Sequence, residues 1–451
     1  MNFNFGVYCV ILKQKGRRYD KVKDNYLLKS QNAERLYFEH AADLPIIDFH
    51  NHLSIADLAS DKKYDNVVEL WLAPDPYKHR LMRICGVDEH YIIGGADPFE
   101  KFGKFCEIFP YLAGNPVYDW SRMELSRVFG IEKDINGQHA SRIYDEINEK
   151  LASGEFSSNG ILSRFGIEYQ SPVAALLDDI SLFDGKAVAP SLRGDDLLAP
   201  TDALRTELAQ KSGVSIVDDG TYIKAVSVML DRFAQKGCRF ADHSLDSGFF
   251  RDDTDGKKER MLILLGREYA KRGWTLLLHV GAKRRTSSRL RKLAGAAGGY
   301  AAVGEGFELS ALSDLLGKME EGVLPDTVIF PLNMNDQAPI AVMQGSFSED
   351  GTPSKVQLGP AWWWCDHTLG IRSTLSSIAS FGVVSQFIGM TTDSRSILSF
   401  VRHDYFRRLL CTWLDEQNAV GEWSLPREVE ADIVRKICYQ NAKNKIMRGS
   451  I

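Results

Sequence analysis

The sequence has no long hydrophobic run, no closely spaced cysteine pair and no excess of charge of one sign. Its apolar stretches all fall short of the roughly 18 residues that a transmembrane helix needs, so we expect no membrane span. The 55 Lys and Arg residues nearly balance the 60 Asp and Glu residues, which argues against nucleic acid or an anionic membrane as a partner. Seven scattered cysteines without a CxxC pair are typical of reduced thiols, so we expect a cytoplasmic protein.

Two common catalytic motifs are also missing. The glycine-rich stretch 295–299 (GAAGG) has neither the GK[ST] nor the GxGxxG frame of a phosphate-binding loop. The chain contains no GxSxG nucleophile elbow, which argues against a serine hydrolase.

The N-terminal residues 3–12 (FNFGVYCVIL) are apolar, but basic side chains follow them instead of preceding them. This is the wrong polarity for a secretory signal peptide. We therefore interpret residues 1–22 as an N-terminal extension that precedes a single domain, residues 23–451.

Short apolar runs, each followed by a polar residue and most of them by a helical stretch, recur along the chain. There are eight of them, at residues 44–49, 173–177, 187–192, 239–241, 275–278, 327–332, 356–358 and 387–392. Such runs alternating with helices are typical of a parallel α/β sheet, and eight of them predict a (β/α)8 TIM barrel. An open, doubly wound sheet is the alternative. In a barrel, catalytic side chains lie at the carboxyl ends of the strands, where the polar residues of these runs fall.

The gap between the first and second runs is far too long for one ordinary loop and helix. Helix-like apolar spacing occurs within it at residues 76–85, 97–109, 119–129 and 139–151. We therefore expect a helical insertion at about 54–168, after the first strand, which caps the pocket on the catalytic face.

The strongest local signal is the pair His50 and His52 at the end of the first run. Residues i and i+2 of an extended strand point the same way, so both imidazoles can converge on one divalent cation. A third ligand must come from another strand, and His243, His279 and Asp393 are the candidates. Two exposed loop histidines are the alternative interpretation of the pair.

Charged residues follow several other runs. Asp393 ends the last run, where it could be a metal ligand, a general base or a helix N-cap. Arg395, two residues further on, could hold a substrate carboxylate. Arg193 and Arg284 follow other runs, and several arginines at a barrel mouth indicate an anionic substrate. Surface salt bridges are the alternative for each arginine taken alone.

Three consecutive tryptophans follow the seventh run, at residues 362–364. Tryptophans at a strand end can form the wall of a sugar-binding pocket, which makes Trp362 and Trp363 candidate substrate contacts. Packing within the core is the alternative.

Four segments stand out as motifs: residues 43–53 (DLPIIDFHNHL), 278–284 (LHVGAKR), 355–364 (KVQLGPAWWW) and 385–411 (SQFIGMTTDSRSILSFVRHDYFRRLLC). An HxH pair alone is weak evidence of kinship, whereas the last segment, matched in order with the others, is highly specific. Taken together, residues 24–444 resemble the uronate isomerases (glucuronate isomerases) of the amidohydrolase superfamily.

The resemblance implies a distorted (β/α)8 barrel of the amidohydrolase type. The implied reaction interconverts D-glucuronate with D-fructuronate, and D-galacturonate with D-tagaturonate, through a cis-enediol. The implied metal ligands are His50, His52 and Asp393, holding a divalent metal, Zn²⁺ with Mn²⁺ as the alternative. Tyr77 matches the family tyrosine and would shuttle the proton between C2 and C1, while Asp393 would exchange protons with substrate hydroxyls.

The resemblance also implies substrate-binding residues. The family arginines that hold the sugar acid match Arg193, Arg395 and Arg284. His243 and His279 fall at the pocket wall rather than on the metal. The expected partner is a small hexuronate, with no nucleic acid and no membrane. The oligomeric state stays open, a homo-oligomer included.

This chain departs from the family pattern around Tyr77. Pro76 replaces a family histidine and removes a backbone donor, and His79 replaces a family tryptophan. Besides an active isomerase, two alternatives therefore remain open. One is a metal-dependent hydrolase on the same scaffold, and the other is a degenerate paralogue that binds sugar acids without converting them.

Overall fold

The computed structural model describes residues 25–421 and 423–448, so the predicted extension, residues 1–22, lies outside the described residues. The strands of this part are numbered β1 to β9 in chain order: Ile46–Asn51, Ile167–Ala175, Ser191–Arg193, Phe240–Leu245, Thr275–Val280, Ala282–Lys283, Ala302–Val303, Asp326–Pro331 and Val356–Leu358. All six residues of β5, TLLLHV, are buried. Such continuous apolar strands belong to parallel sheets that are covered on both faces.

Seven of these strands form one parallel sheet in the order β1-β2-β3-β4-β5-β8-β9. The short strands β6 and β7 pair only with each other, as an antiparallel ribbon. A parallel sheet whose successive strands are neighbours winds in one direction and curls into a barrel. The predicted distorted (β/α)8 barrel is confirmed.

The eighth position of the barrel holds no regular strand. The sequence predicted one at residues 387–392, but this stretch is irregular, and that prediction is wrong. Its backbone has left-handed φ values of +89° at Gly389 and +45° just beyond it at Asp393. A regular ladder requires extended φ angles, so a strand cannot run through these positions.

Side chains close the barrel where the ladder is missing. The buried carboxylate of Asp48 on β1 accepts hydrogen bonds from Thr391 Oγ1 at 2.9 Å and from Thr392 N and Oγ1 at 2.7 and 2.8 Å. On the opposite side, the Ile388 N–H donates to Gln357 Oε1 of β9 at 2.9 Å. These hydrogen bonds hold residues 387–393 between β9 and β1, where they form the eighth segment of the barrel wall.

Helices surround this sheet. The α-helices of the described part are numbered α1 to α18: Gln31–His40, Ile55–Ala59, Pro76–Ile84, Pro98–Ile108, Pro116–Phe129, Ala140–Ala152, Ser158–Leu162, Asp202–Ser212, Asp219–Gln235, Phe249–Asp252, Lys257–Lys271, Ser288–Ala294, Leu309–Glu320, Gln337–Ser346, Thr368–Phe381, Val401–Ala419, Arg427–Arg435 and Asn441–Arg448. Within the described ranges, no helix has the length and apolar character to cross a membrane.

Helices α2 to α7 lie between β1 and β2. The four helices predicted there correspond to α3, α4, α5 and α6, and each bound agrees within three residues. The limits of a separate insertion at about 54 and 168 stay a prediction.

Proline starts three of these helices. Pro76, Pro98 and Pro116 occupy the first positions of α3, α4 and α5, where a backbone N–H has no partner within the helix. Asp75 caps α3 by accepting a hydrogen bond from Tyr77 N at 2.9 Å. Pro76 therefore removes no hydrogen bond from the helix that carries Tyr77.

Candidate active site

A cluster of two histidines and one aspartate lies where β1 ends. His50 belongs to β1 and His52 follows it, with ring centroids 5.3 Å apart. Asp393 Oδ1 lies 3.3 Å from His50 Nε2 and 2.9 Å from His52 Nε2. The structure thus brings together the three residues that the sequence indicated as metal ligands.

Backbone hydrogen bonds fix Asp393 beside the two histidines. The Asp393 N–H donates to the His50 carbonyl at 3.1 Å, and the His52 N–H donates to the Ser394 carbonyl at 2.9 Å. The left-handed φ of +45° at Asp393 is rare for a residue with a side chain and costs about 1–3 kcal/mol. Surrounding contacts hold this strained conformation, a pattern typical of functional sites.

The neighbours of the cluster shift its pKa values. Burial tends to raise the pKa of Asp393, but hydrogen bonds from His50 and His52 outweigh it and hold the pKa well below 3.8. Burial lowers the pKa of His52 to about 4. For His50, burial acts in the same direction, but Asp242 and Asp393 outweigh it and raise the pKa. Asp393 is therefore an ionised acceptor at neutral pH, and His52 is neutral.

The chemistry of this donor set fits a divalent cation. The candidate ligand atoms of His50, His52 and Asp393 all lie within 4.8 Å of one another. Two imidazole nitrogens and a carboxylate oxygen, with a further position left open, are a ligand set of catalytic zinc sites. These residues could therefore hold a divalent metal.

Asp242 and His279 form a second group that shares His50. His279 Nδ1 lies 2.6 Å from Asp242 Oδ1. Burial tends to raise the pKa of Asp242, but the charges of His279 and His50 outweigh it and lower the pKa strongly. The His279 ring stacks on Phe330 at 4.4 Å and lies 4.7 Å from the Trp362 ring. His279 therefore lines the His-Asp cluster from the β5 side.

Arg193 and Arg395 both interact electrostatically with Asp393, and Arg284 interacts with Arg395. The exposed Arg395 experiences the charges of Asp393, Arg193 and Arg284 together. Like-charged guanidinium groups repel one another, so such a grouping is stabilised when an anion binds between them. The structure brings the three predicted arginines into one group.

Carboxylates orient two of these arginines. Arg193 Nη2 donates to Asp195 Oδ2 at 3.1 Å, and its Nη1 lies 4.0 Å from Asp242 Oδ2. Arg284 Nε donates to Asp246 Oδ1 at 2.9 Å. These contacts restrict the side-chain rotamers, so less entropy is lost when an anion binds.

Trp362 and Trp363 reach the cluster from the segment after β9. Trp362 Nε1 donates a hydrogen bond to Asp393 Oδ2, and its ring is buried. Trp363 has a φ of +49°, and its ring lies 5.6 Å from Trp362 and 5.3 Å from the Arg284 guanidinium. Both tryptophans therefore contact residues of the predicted site.

Tyr77 lies at the start of α3 among aromatic rings. Its ring is 5.6 Å from Trp120 and 5.2 Å from Trp364, edge-on to each. The Arg402 guanidinium lies 4.8 Å from the Tyr77 ring centroid. Burial raises the pKa of Tyr77 strongly, and Arg402 acts in the opposite direction.

His243 points elsewhere. Its Nε2 lies 2.9 Å from the Tyr269 hydroxyl on α11. Asp242 and His243 are consecutive on β4, so they face opposite sides of the sheet, and Asp242 is the one beside His279. These contacts place His243 between the sheet and α11, and they do not support its predicted position at the pocket wall.

Tyr77 is surrounded by Trp120, Trp364 and Arg402. Trp364 is the third of the three consecutive tryptophans, whereas Trp120 and Arg402 carry no individual sequence signal. Trp364 and Arg402 lie inside the motif segments 355–364 and 385–411. Membership in a motif is the sign that could have singled out Arg402, because neither periodicity nor spacing shows that it meets Tyr77.

The fold is a parallel barrel with two histidines at the end of β1 and an aspartate after its eighth segment. This combination defines a protein of the amidohydrolase type. A family model described as glucuronate isomerase matches residues 19–261 and 250–445 of this chain. The chain belongs to the glucuronate isomerase family.

Curated relatives and solved structures agree with this family. The uronate isomerase of Caldanaerobacter subterraneus subsp. tengcongensis is 35% identical, over 93% of this chain and 98% of the relative. That of Bacteroides fragilis is 37% identical over the same shares. The crystal structure of uronate isomerase from Thermotoga maritima has a TM-score of 0.86 at 26% identity, covering 94% of this chain and 99% of that one. Glucuronate isomerase from Caulobacter crescentus, with a TM-score of 0.85 at 21% identity over 96% and 98%, shows the shared fold alone.

Proposed function

We propose that this chain interconverts hexuronate aldoses and ketoses, D-glucuronate with D-fructuronate and D-galacturonate with D-tagaturonate. The observation that carries the proposal is the grouping of Arg193, Arg284 and Arg395 next to Asp393 in a member of an isomerase family. Guanidinium forks bind carboxylates in a bidentate way. A sugar acid satisfies this group with its carboxylate and leaves its hydroxyls for the rest of the site.

The walls of the site suit a sugar ring. Trp363 offers a partly exposed indole surface beside Arg284, and the buried Trp362 next to it contacts Asp393 and His279. Flat aromatic surfaces bind the apolar face of a sugar while polar groups bind its hydroxyls. In this arrangement the arginines anchor the carboxylate, and the tryptophans fix the ring.

His50, His52 and Asp393 would hold the divalent metal, which we propose to be Zn²⁺, with Mn²⁺ as the alternative. When bound, such an ion orients and polarises substrate oxygens. The location in the cytoplasm stays a prediction.

An aldose-to-ketose shift moves one proton from C2 to C1 through a cis-enediol, and it needs a group that takes this proton and returns it. We assign this role to Tyr77, whose hydroxyl forms no hydrogen bond with the described residues. Its phenolate would accept the C2 proton, and the resulting phenol would deliver that proton to C1, while the proton of the C2 hydroxyl moves to the C1 oxygen. Asp393, kept ionised by its low pKa, would take the proton of the anomeric hydroxyl as the ring opens and pass it to the ring oxygen, and the reverse exchange would close the ring of the ketose.

The two departures around Tyr77 are compatible with this role. Pro76 occupies a position whose N–H would have no helical partner. His79 is buried on the same helix, and burial lowers its pKa, so it packs there as a neutral side chain. Neither residue removes a hydrogen bond that holds Tyr77.

The test supplies the purified protein with Zn²⁺ or Mn²⁺ and follows keturonate formation from each uronate by proton NMR. Tyr77→Phe is expected to lower turnover by about 10²–10⁴-fold, because it removes the proton carrier, while calorimetry still shows substrate binding. Tyr111→Phe is the matched control, because Tyr111 is 84% exposed, and it should keep the wild-type rate.

The outcomes separate the parts of the proposal. Ketose formation that is lost in Tyr77→Phe alone would support both the function and the proton carrier. An unchanged rate in Tyr77→Phe would contradict the role of the tyrosine. Absence of ketose from both uronates would contradict the isomerase itself.

A further inference from the structure

Arg402, at the start of α16, is a buried cation next to Tyr77. Its side chain is 1% exposed, and neither Nε nor Nη1 has a hydrogen-bond partner among the described residues. The carboxylate that accompanies it is Asp366, whose Oδ2 lies 3.6 Å from Arg402 Nη1. Burying a guanidinium with so few hydrogen bonds is costly, so its presence points to a use for the charge itself.

This charge lies against aromatic rings. The Arg402 guanidinium is 4.8 Å from the Tyr77 centroid and 3.9 Å from the Trp120 centroid. Trp364 contacts Tyr77 as well, at 5.2 Å. Because ring faces attract cations, Arg402 both restrains the tyrosine and places a positive charge over its ring.

We propose that Arg402 is a positioning residue for Tyr77, which it holds in place and whose phenolate charge it stabilises while the C2 proton is transferred. This inference rests on the proposed isomerase function and deepens it. A buried phenol on its own stays protonated at neutral pH and cannot accept a proton. A fixed cation beside the ring offsets part of this effect of burial.

Other charged groups also act on Tyr77. They are Asp366, Asp393 and Asp75, which raise its pKa, and Arg395. Asp366 differs from the rest because it faces Arg402 directly. Burial raises the pKa of Asp366 to about 7, so above about pH 7 its carboxylate offsets part of the Arg402 charge. Removing the cation and removing this anion should therefore have opposite effects on Tyr77.

The test measures kcat and KM for D-glucuronate against pH on the metal-loaded enzyme. If the phenolate is the base, activity is lost as the pH falls through the Tyr77 pKa. Arg402→Met removes the charge and raises that pKa, so at any pH below it the phenolate fraction, and with it kcat, should fall by about 10–1,000-fold, which moves the acidic limb of the kcat profile up by about 1–3 pH units. KM should stay near its wild-type value, and Arg402→Lys should restore the limb.

Arg408→Met is the matched control. Arg408 lies on the same helix, is buried, and its guanidinium is 4.2 Å from the ring of Tyr37. Its replacement should lower stability without moving the kcat profile. Equal shifts in Arg402→Met and Arg408→Met, or no shift in Arg402→Met, would overturn the proposal.

Asp366→Asn provides a second variant should Arg402→Met fail to fold. It removes the opposing anion, so the acidic limb should move to lower pH, and a shift in the other direction or no shift would overturn the proposal. A turnover-free readout is the ultraviolet titration of the Tyr77 phenolate, taken as the difference between each protein and its Tyr77→Phe form. This readout tests Arg402 even if no ketose is formed, so its failure is distinguishable from failure of the proposed function.

Discussion

Replacing Asp48 with asparagine should destabilise the barrel at the seam between β1 and residues 387–393. The Asp48 carboxylate is completely buried. Its Oδ1 accepts hydrogen bonds from Thr391 Oγ1, Thr392 N and His403 Nε2, at 2.9, 2.7 and 3.2 Å. Its Oδ2 accepts from Asn51 Nδ2 and Thr392 Oγ1, both at 2.8 Å.

The hydrogen-bond geometry around Asp48 determines how much free energy of unfolding is lost in Asp48→Asn. An asparagine can direct its single oxygen at the three donors around Oδ1, but its NH₂ group then faces two further donors. Losing two hydrogen bonds to a charged acceptor, at about 1.5–3 kcal/mol each, lowers the free energy of unfolding by about 3–6 kcal/mol. This is a large part of the typical 5–15 kcal/mol that stabilises a folded domain.

Urea unfolding followed by circular dichroism measures the effect. Asp43→Asn is the matched control, because Asp43 lies five residues earlier and is exposed, so it should unfold at the wild-type midpoint. If Asp48→Asn unfolds at the same urea concentration as this control, the carboxylate does not close the barrel, and the reasoning is refuted.

Two further predictions concern the helix of Tyr77 and the acid stability of the fold. Gly299 has a φ of +78°, and an added Cβ would meet the Pro76 carbonyl oxygen at 2.4 Å. Gly299→Ala should therefore displace the start of α3 and lower kcat and the melting temperature. Gly295→Ala has a similar φ but no atom within 4 Å, so it should cost only backbone strain; equal kcat losses in the two variants would contradict this reasoning. Burial tends to raise the pKa of Asp404, but Arg127 and Arg408 outweigh it and lower the pKa below 3.8. Its contribution to stability should thus be present at neutral pH and lost as the pH falls below about 3.8. The stability difference between wild type and Asp404→Asn should shrink in acid, and a difference that is constant with pH would refute this prediction.

The repeating elements of the fold could be predicted from the sequence because each is a local pattern. Buried runs such as TLLLHV of β5 mark strands, and Asp or Asn followed by proline marks the starts of α3, α4 and α5. The eighth segment of the barrel wall, residues 387–392, was wrongly predicted to be a strand. Its run is apolar, but side-chain hydrogen bonds to Asp48 replace the ladder there, and no local pattern reveals such long-range bonding.

In the candidate site, too, local patterns could be predicted and long-range contacts could not. His50 and His52 were identified from their spacing at a strand end, whereas Asp393 was one of three candidate third ligands and was selected by the family resemblance. The structure places the three residues within reach of one another. Arg402 was missed because its contact with the Tyr77 ring joins two residues that lie far apart in the chain. Asp242 and His243 are neighbours on a strand, so only one of them can face the site. The sequence pattern does not show which of the two it is.

The most direct measurement of the central claim compares D-glucuronate with D-glucose as substrates of the purified, metal-supplied protein, with ketose formation followed by proton NMR. The two aldoses differ at C6, where the first carries the carboxylate that Arg193, Arg284 and Arg395 are proposed to bind. Because the arginines bind the C6 carboxylate, we expect rapid conversion of D-glucuronate to D-fructuronate and little conversion of D-glucose. No ketose from D-glucuronate, or equal conversion of both aldoses, would contradict it.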